Sequence, residues 1–144
     1  MNFAIYMAAA FLVIVFLMRI TGNFSIDISE NPVSLNTQEE RIARAIATAE
    51  GFFTDSTLLQ SKNNPVGLKL DGSTLTTFAT VFQGWEAAYN QIRLILTNRS
   101  NYYNREMSIA QIAPIWTGGD RPEAWATIVA RELGVDKNTP LYKV

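Results

Sequence analysis

The sequence predicts a mainly α (α+β) fold, in which one small helical domain carries a small β-hairpin and stands behind an apolar N-terminal segment. Three observations carry this reading. The chain has 144 residues, room for one core at about 100–200 residues per domain. Beyond residue 37, four stretches read as helices, three of them behind recognisable start signals. Between the first two of these, Leu68, Leu70, Leu75 and Phe78 surround Asp71-Gly72, a short-range hairpin signal.

The N-terminal segment comes first. Residues 3–18 are free of charge and Arg19 is the first charged side chain. With Ile20 the run approaches the ~17–25 residues that span a hydrocarbon core, so residues 1–20 are expected to be a transmembrane helix, with residues 3–20 as a retained anchor. A cleaved signal peptide would need a basic start and a small-x-small cleavage site. Met1-Asn2 and Thr21-Gly22 supply neither. Arg19 on the C-terminal flank votes for a cytoplasmic domain by the positive-inside tendency, but one charge leaves the orientation open. Residues 21–36, rich in Gly, Asn, Ser and Pro, read as a linker.

The domain then occupies residues 37–144. Thr37 and Glu40 form a capping-box pattern for a helix over 38–50, with Ile42, Ala45, Ile46 and Ala49 on one stripe and a stop at Gly51. Residues 54–66 are polar and turn-rich, and the hairpin is expected after them. A second helix over 82–97 aligns Trp85, Ala88, Tyr89, Ile92 and Leu96. After a polar loop with Tyr102 and Tyr103, Ser108 and Gln111 cap a short helix to about Ile115. Pro122 opens the last helix and Gly134 ends it after Leu133.

Composition excludes several chemistries. Twelve Lys and Arg against thirteen Asp and Glu leave a net charge of −1, with no electrostatic footprint for nucleic acid. His and Cys are absent, so Cys/His zinc sites, thiolate nucleophiles and Ser-His-Asp triads are excluded. Acid–base work falls to carboxylates, Lys or Tyr, and no cofactor or metal is expected.

Two carboxylates qualify as acids. Glu50 lies at the edge of the first helix's core-facing stripe and in its last turn, where desolvation and the helix dipole both raise a carboxyl pKa. Phe52 and Phe53 are expected to add to its apolar setting. Glu132 stands equally well on the stripe of Trp125, Ile128 and Val129 near another helix end. Periodicity does not choose between them. Asp55, Asp71 and Asp120 all fall in expected loops and read as turn residues.

Three strings together carry a resemblance. Ala45-Ile46-Ala47-Thr48-Ala49-Glu50-Gly51-Phe52, Asn63-Asn64-Pro65-Val66-Gly67-Leu68-Lys69 and Gly84-Trp85-Glu86-Ala87-Ala88-Tyr89 resemble the lysozyme-like superfamily of peptidoglycan hydrolases, which includes lytic transglycosylases, goose-type lysozymes and bacterial glucosaminidases. The likeness covers roughly residues 38–141 and extends to Ile112-Ala113, Trp116-Thr117 and Trp125. It implies a lysozyme-like helical domain, Glu50 as the catalytic acid at a helix end, and Gly67-Leu68 lining the cleft. Gly51 and Lys69-Leu70 stand where transglycosylases usually have Ser and Met-Gln, so the reaction subtype stays open. The implied partner is the peptidoglycan glycan strand, and the implied location is a bacterial envelope or virion membrane with the domain facing the wall.

The remaining candidates are substrate contacts. Asn63 and Asn64 either offer amides to sugar N-acetyl and hydroxyl groups or make a turn. Trp116, with Thr117 beside it, and Tyr102 present rings of the kind on which sugar faces stack. A single acid suffices if the substrate's own N-acetyl oxygen attacks the anomeric carbon. The alternative is a non-catalytic membrane-tethered structural or glycan-binding protein with the same fold. Glu50 facing an open groove, as opposed to being covered and salt-bridged, separates the two.

Overall fold

A computed structural model describes residues 37–144. The expected anchor over 1–20 and linker over 21–36 lie outside the described residues. The first helix, α1, spans Gln38–Ala49. The Thr37 hydroxyl accepts from the Glu40 N–H at 3.2 Å, and Glu39 and Glu40 in the first turn suit the positive end of the helix dipole. Ile42, Ala43, Ala45, Ile46 and Ala47 are buried. Glu50 is the C-cap, and Gly51 takes a φ of +76°, the left-handed turn that glycine adopts at little cost.

A four-residue helix, α2 (Leu58–Ser61), occupies the stretch expected to be polar turn. The Thr57 hydroxyl accepts from the Gln60 N–H and the Gln60 side chain accepts from the Thr57 N–H, a reciprocal capping box. Gln60 also donates to the Phe52 carbonyl at 2.8 Å, tying this turn to the end of α1. Then come α3 (Val81–Leu96), capped by Thr80, and α4 (Ile109–Trp116), capped by the expected Ser108–Gln111 box. The last helix, α5 (Pro122–Leu133), has Pro122 in its first turn and ends at Gly134 with φ +70°. A 3₁₀ turn over Leu141–Lys143 closes the chain.

Helix α1 packs against α3 and α5, and α5 against α4. Ile42, Ile92, Ile95, Ile109 and Val129, all but fully buried, meet at the centre. The Gln38 side chain donates to the carbonyls of Leu141 and Val144 at 3.2 and 3.0 Å, which joins the start of α1 to the chain's last residues. Among the described residues no helix is long and apolar enough to cross a membrane.

The expected β-hairpin is corrected: no strand forms over 66–78. The chain does reverse around Asp71-Gly72, whose carboxylate accepts from the N–H groups of Ser73 and Thr74 and from the Thr74 hydroxyl. The Thr74 contacts, followed by that to Ser73, hold the Asp71 carboxyl well below the usual carboxylate range. Across the turn only the Thr76 N–H bonds to the Leu68 carbonyl, at 2.9 Å. The ladder is pre-empted by side chains. Asn64 donates to the carbonyls of both Leu68 and Thr76 at 2.9 Å and accepts from the Leu68 N–H at 2.8 Å, while the Thr76 hydroxyl accepts from the Leu70 N–H. Backbone groups already satisfied in this way have no need of a cross-strand partner.

Candidate active site

The end of α1, the loop after α2 and the turn between α4 and α5 converge on an open cleft of about 510 Å³. Glu50 stands in its wall, half-buried, with Gly67, Trp116, Thr117 and Trp125 around it. Lys69, Asp120 and Arg121 bring charge to the same cleft.

Trp125, from the first turn of α5, donates its indole N–H to Glu50 Oε1 at 2.9 Å. On the other side Gly67 has φ +69°, and a Cβ added there would lie 3.2 Å from Glu50 Oε2. The positive φ favours glycine at this position, and any side chain there would push the Glu50 carboxyl back by a few tenths of an ångström. Burial raises the Glu50 pKa above its ordinary value. The Trp125 hydrogen bond, the Lys69 charge and the Trp116 indole act against the rise without cancelling it.

Trp116, at the end of α4, donates its own N–H to the Val66 carbonyl at 3.3 Å. Its ring lies 6.1 Å from Trp125 and 5.7 Å from Tyr103. Burial pushes the Tyr103 phenol up to about 12, so it stays neutral and serves as support for Trp116. Arg121 carries a left-handed backbone, φ 45° and ψ 48°, at the start of α5 without a side-chain cap. For a non-glycine residue this conformation is costly. Its guanidinium lies 3.5 Å from the exposed Asp120 carboxylate.

Of the residues singled out from the sequence, Glu50, Gly67, Trp116 and Thr117 share this cleft. Trp125 joins them, as does Asp120, which reads from the sequence as a turn residue; the remaining candidates do not reach it. Asn64 is wholly buried, with its amide spent on the loop, so it shapes the cleft wall and has no group left for a sugar. Asn63 donates to the Phe78 carbonyl at 2.9 Å. Leu68 is in the core, and Tyr102 is 76 % exposed and stands apart from the cleft lining. Phe52 and Phe53 pack around Trp85, with centroids at 5.8 and 6.1 Å; the apolar setting of Glu50 comes from the indoles instead. Glu132 lies elsewhere, in a cleft of about 450 Å³ with Arg44 and Phe53, with Arg131 at 3.0 Å.

Sequence reasoning placed Trp125 on the core stripe of its helix but missed its bond to Glu50. Lys69, Asp120 and Arg121 gave no periodic signal, because loop residues are positioned by the elements they join. Among the described residues no cluster of three or more acidic side chains is arranged to hold a metal ion. Comparison of the chain with protein-family models, with curated proteins and with solved structures yields no match.

Proposed function

We propose that residues 37–144 cleave the glycan strand of peptidoglycan with Glu50 as general acid, as a lytic transglycosylase or muramidase. Residues 3–20 would hold the domain to a membrane, facing the cell wall. The observation that carries the reading is a half-buried carboxyl of raised proton affinity, free of any salt bridge among the described residues, in the wall of an open cleft flanked by two indoles. A carboxylic acid that keeps its proton toward neutral pH is what protonation of a glycosidic oxygen requires.

In this mechanism the Glu50 proton passes to the bridging oxygen. The bond from the anomeric carbon to that oxygen breaks, and its electron pair stays on the oxygen. The positive charge left on the sugar is met by the substrate's own N-acetyl oxygen or by water. The negative charge appearing on Glu50 falls near Lys69 and on the Trp125 N–H, groups already in place that need no rearrangement. Among the described residues Arg121 is paired with Asp120, which leaves Lys69 as the uncompensated positive charge in the cleft lining, where an anionic strand would lie.

Zymography on purified sacculi tests the reading. The parent chain should clear the gel and a folded Glu50→Gln chain should not. A folded parent that leaves sacculi intact would sink the enzymatic reading in favour of a non-catalytic tethered protein. Digests analysed for new reducing ends against anhydro ends assign the subtype.

A further inference from the structure

The two oxygens of Glu50 have different surroundings. Oε1 receives the Trp125 indole N–H at 2.9 Å, and Oε2 lies over Gly67, 3.2 Å from the position a Cβ would take. An indole N–H can only donate. The oxygen it contacts must accept, and in a protonated carboxyl the carbonyl oxygen is the better acceptor. We propose that Trp125 is the positioning residue of the Glu50 acid: its N–H holds Oε1 as the accepting oxygen and leaves the proton on Oε2, presented on the Gly67 side of the cleft.

This inference rests on the glycan-cleaving reading and specifies how that site is built. It makes the side of attack definite. The bridging oxygen approaches Oε2 from the open cleft, on the side where Gly67 lies. Once the proton has left Oε2, the bond from Trp125 to Oε1 becomes charge-assisted and strengthens. Trp125 therefore stabilises the conjugate base more than the acid, which agrees with the direction of its effect on Glu50. The charged groups that share the cleft with Glu50 are Lys69 from the loop and Asp120 and Arg121 from the turn before α5. None of these contacts Oε1 within hydrogen-bond distance, and the Trp116 N–H is directed to the Val66 carbonyl, so the orientation falls to the Trp125 indole.

The test uses the full chain with ¹³C-labelled glutamate carboxyls and ¹⁵N-labelled indoles. In Trp125→Phe, which keeps an aromatic ring and removes the N–H, the Glu50 carboxyl should titrate at higher pH than in the parent. On sacculi, kcat should fall about 10-fold, the order expected for one hydrogen bond to a charged group, with KM little changed and the alkaline limb of the pH profile moved upward. An unshifted or lowered Glu50 titration in a folded Trp125→Phe chain overturns the proposal. If that variant does not fold, the parent and Glu50→Gln chains decide. The Trp125 indole signal should move with pH in step with the Glu50 carboxyl and stop moving in Glu50→Gln; movement of the Trp116 signal in its place overturns the assignment. The spectroscopic arms need no turnover. A parent that shows the coupled titration but leaves sacculi intact refutes the glycan-cleaving reading and leaves the orientation standing.

Discussion

Replacing Gly84 with alanine sets two effects against each other, and the structure decides which prevails. Gly84 lies in the first turn of α3, where alanine gains about 0.5–1 kcal/mol over glycine from backbone entropy. A Cβ at that position would meet Pro65 Cδ at 2.9 Å and the Asn63 carbonyl carbon at 3.0 Å, with the Asn63 oxygen closer still. Carbon atoms settle at about 3.5–4.0 Å, which alone asks helix and loop to part by roughly 0.5–1 Å, and the closer Asn63 oxygen asks for more. The loop resists this movement. Asn63 is held in a left-handed conformation with its side chain on the Phe78 carbonyl, and Asn64 is fixed by three hydrogen bonds. Overpacking of this kind costs about 1–3 kcal/mol, and loosening a buried hydrogen bond adds about 1–3 kcal/mol more. The net expectation is a loss of about 3 kcal/mol, or about 12–24 °C in Tm for a domain of roughly 100 residues. Urea and thermal unfolding of Gly84→Ala against the parent measure it. Stability equal to or above the parent would show that the helix and the Asn63–Pro65 loop do not touch as described.

Three further outcomes are expected. Glu50→Gln should lower sacculus cleavage by at least about 100-fold, the lower end of a general-acid contribution, and the same variant should show a pH-dependent gain in stability. Because folding raises the Glu50 pKa, the native state binds its proton more tightly and the parent loses stability as pH rises from about 4.3, the unfolded value, through the folded one. The glutamine chain escapes that loss, so its advantage in Tm should be present at neutral pH and vanish below about pH 4; the opposite trend would contradict the burial argument. Asn64→Ala strands the Thr76 carbonyl and the Leu68 N–H and takes one of two donors from the Leu68 carbonyl, and chemical denaturation should register a loss of about 2–4 kcal/mol, with a loss under 0.5 kcal/mol excluding a staple role. Trp116→Ala should weaken binding of soluble glycan fragments in titration calorimetry while Tyr102→Ala leaves it unchanged, since only Trp116 lines the cleft; the reverse order would move the binding surface to the 98–106 loop.

Most of the helices were legible because their determinants are local. Apolar spacing, the Thr37 and Ser108 caps, Pro122 and the glycines at 51 and 134 each act within one or two turns of chain, and the observed boundaries differ from the expected ones by a residue or so. The Thr57–Gln60 box was also written in the sequence. It went unread because the helix it opens is a single turn with one buried residue, too short for a periodic stripe.

The hairpin and the surroundings of the acid depended on partners distant in sequence or outside any repeat. Asp71-Gly72 signals a reversal, and a reversal forms; whether it becomes a ladder is decided by where the flanking backbone groups find partners. Here Asn64 reaches them first. Likewise, Glu50 and Glu132 are alike by position on a helix, and no local rule ranks them. The fold separates them by bringing an indole from 75 residues away onto Glu50 and a side-chain-free Gly67 beneath it, while Glu132 remains at an exposed surface beside Arg131. The sequence alone determined the helices, their caps and the candidate acids, since these follow from short-range hydrogen bonding and periodic burial. Which acid is desolvated, and which groups face it, was decided only by tertiary packing, because desolvation is a property of everything that surrounds a group in space.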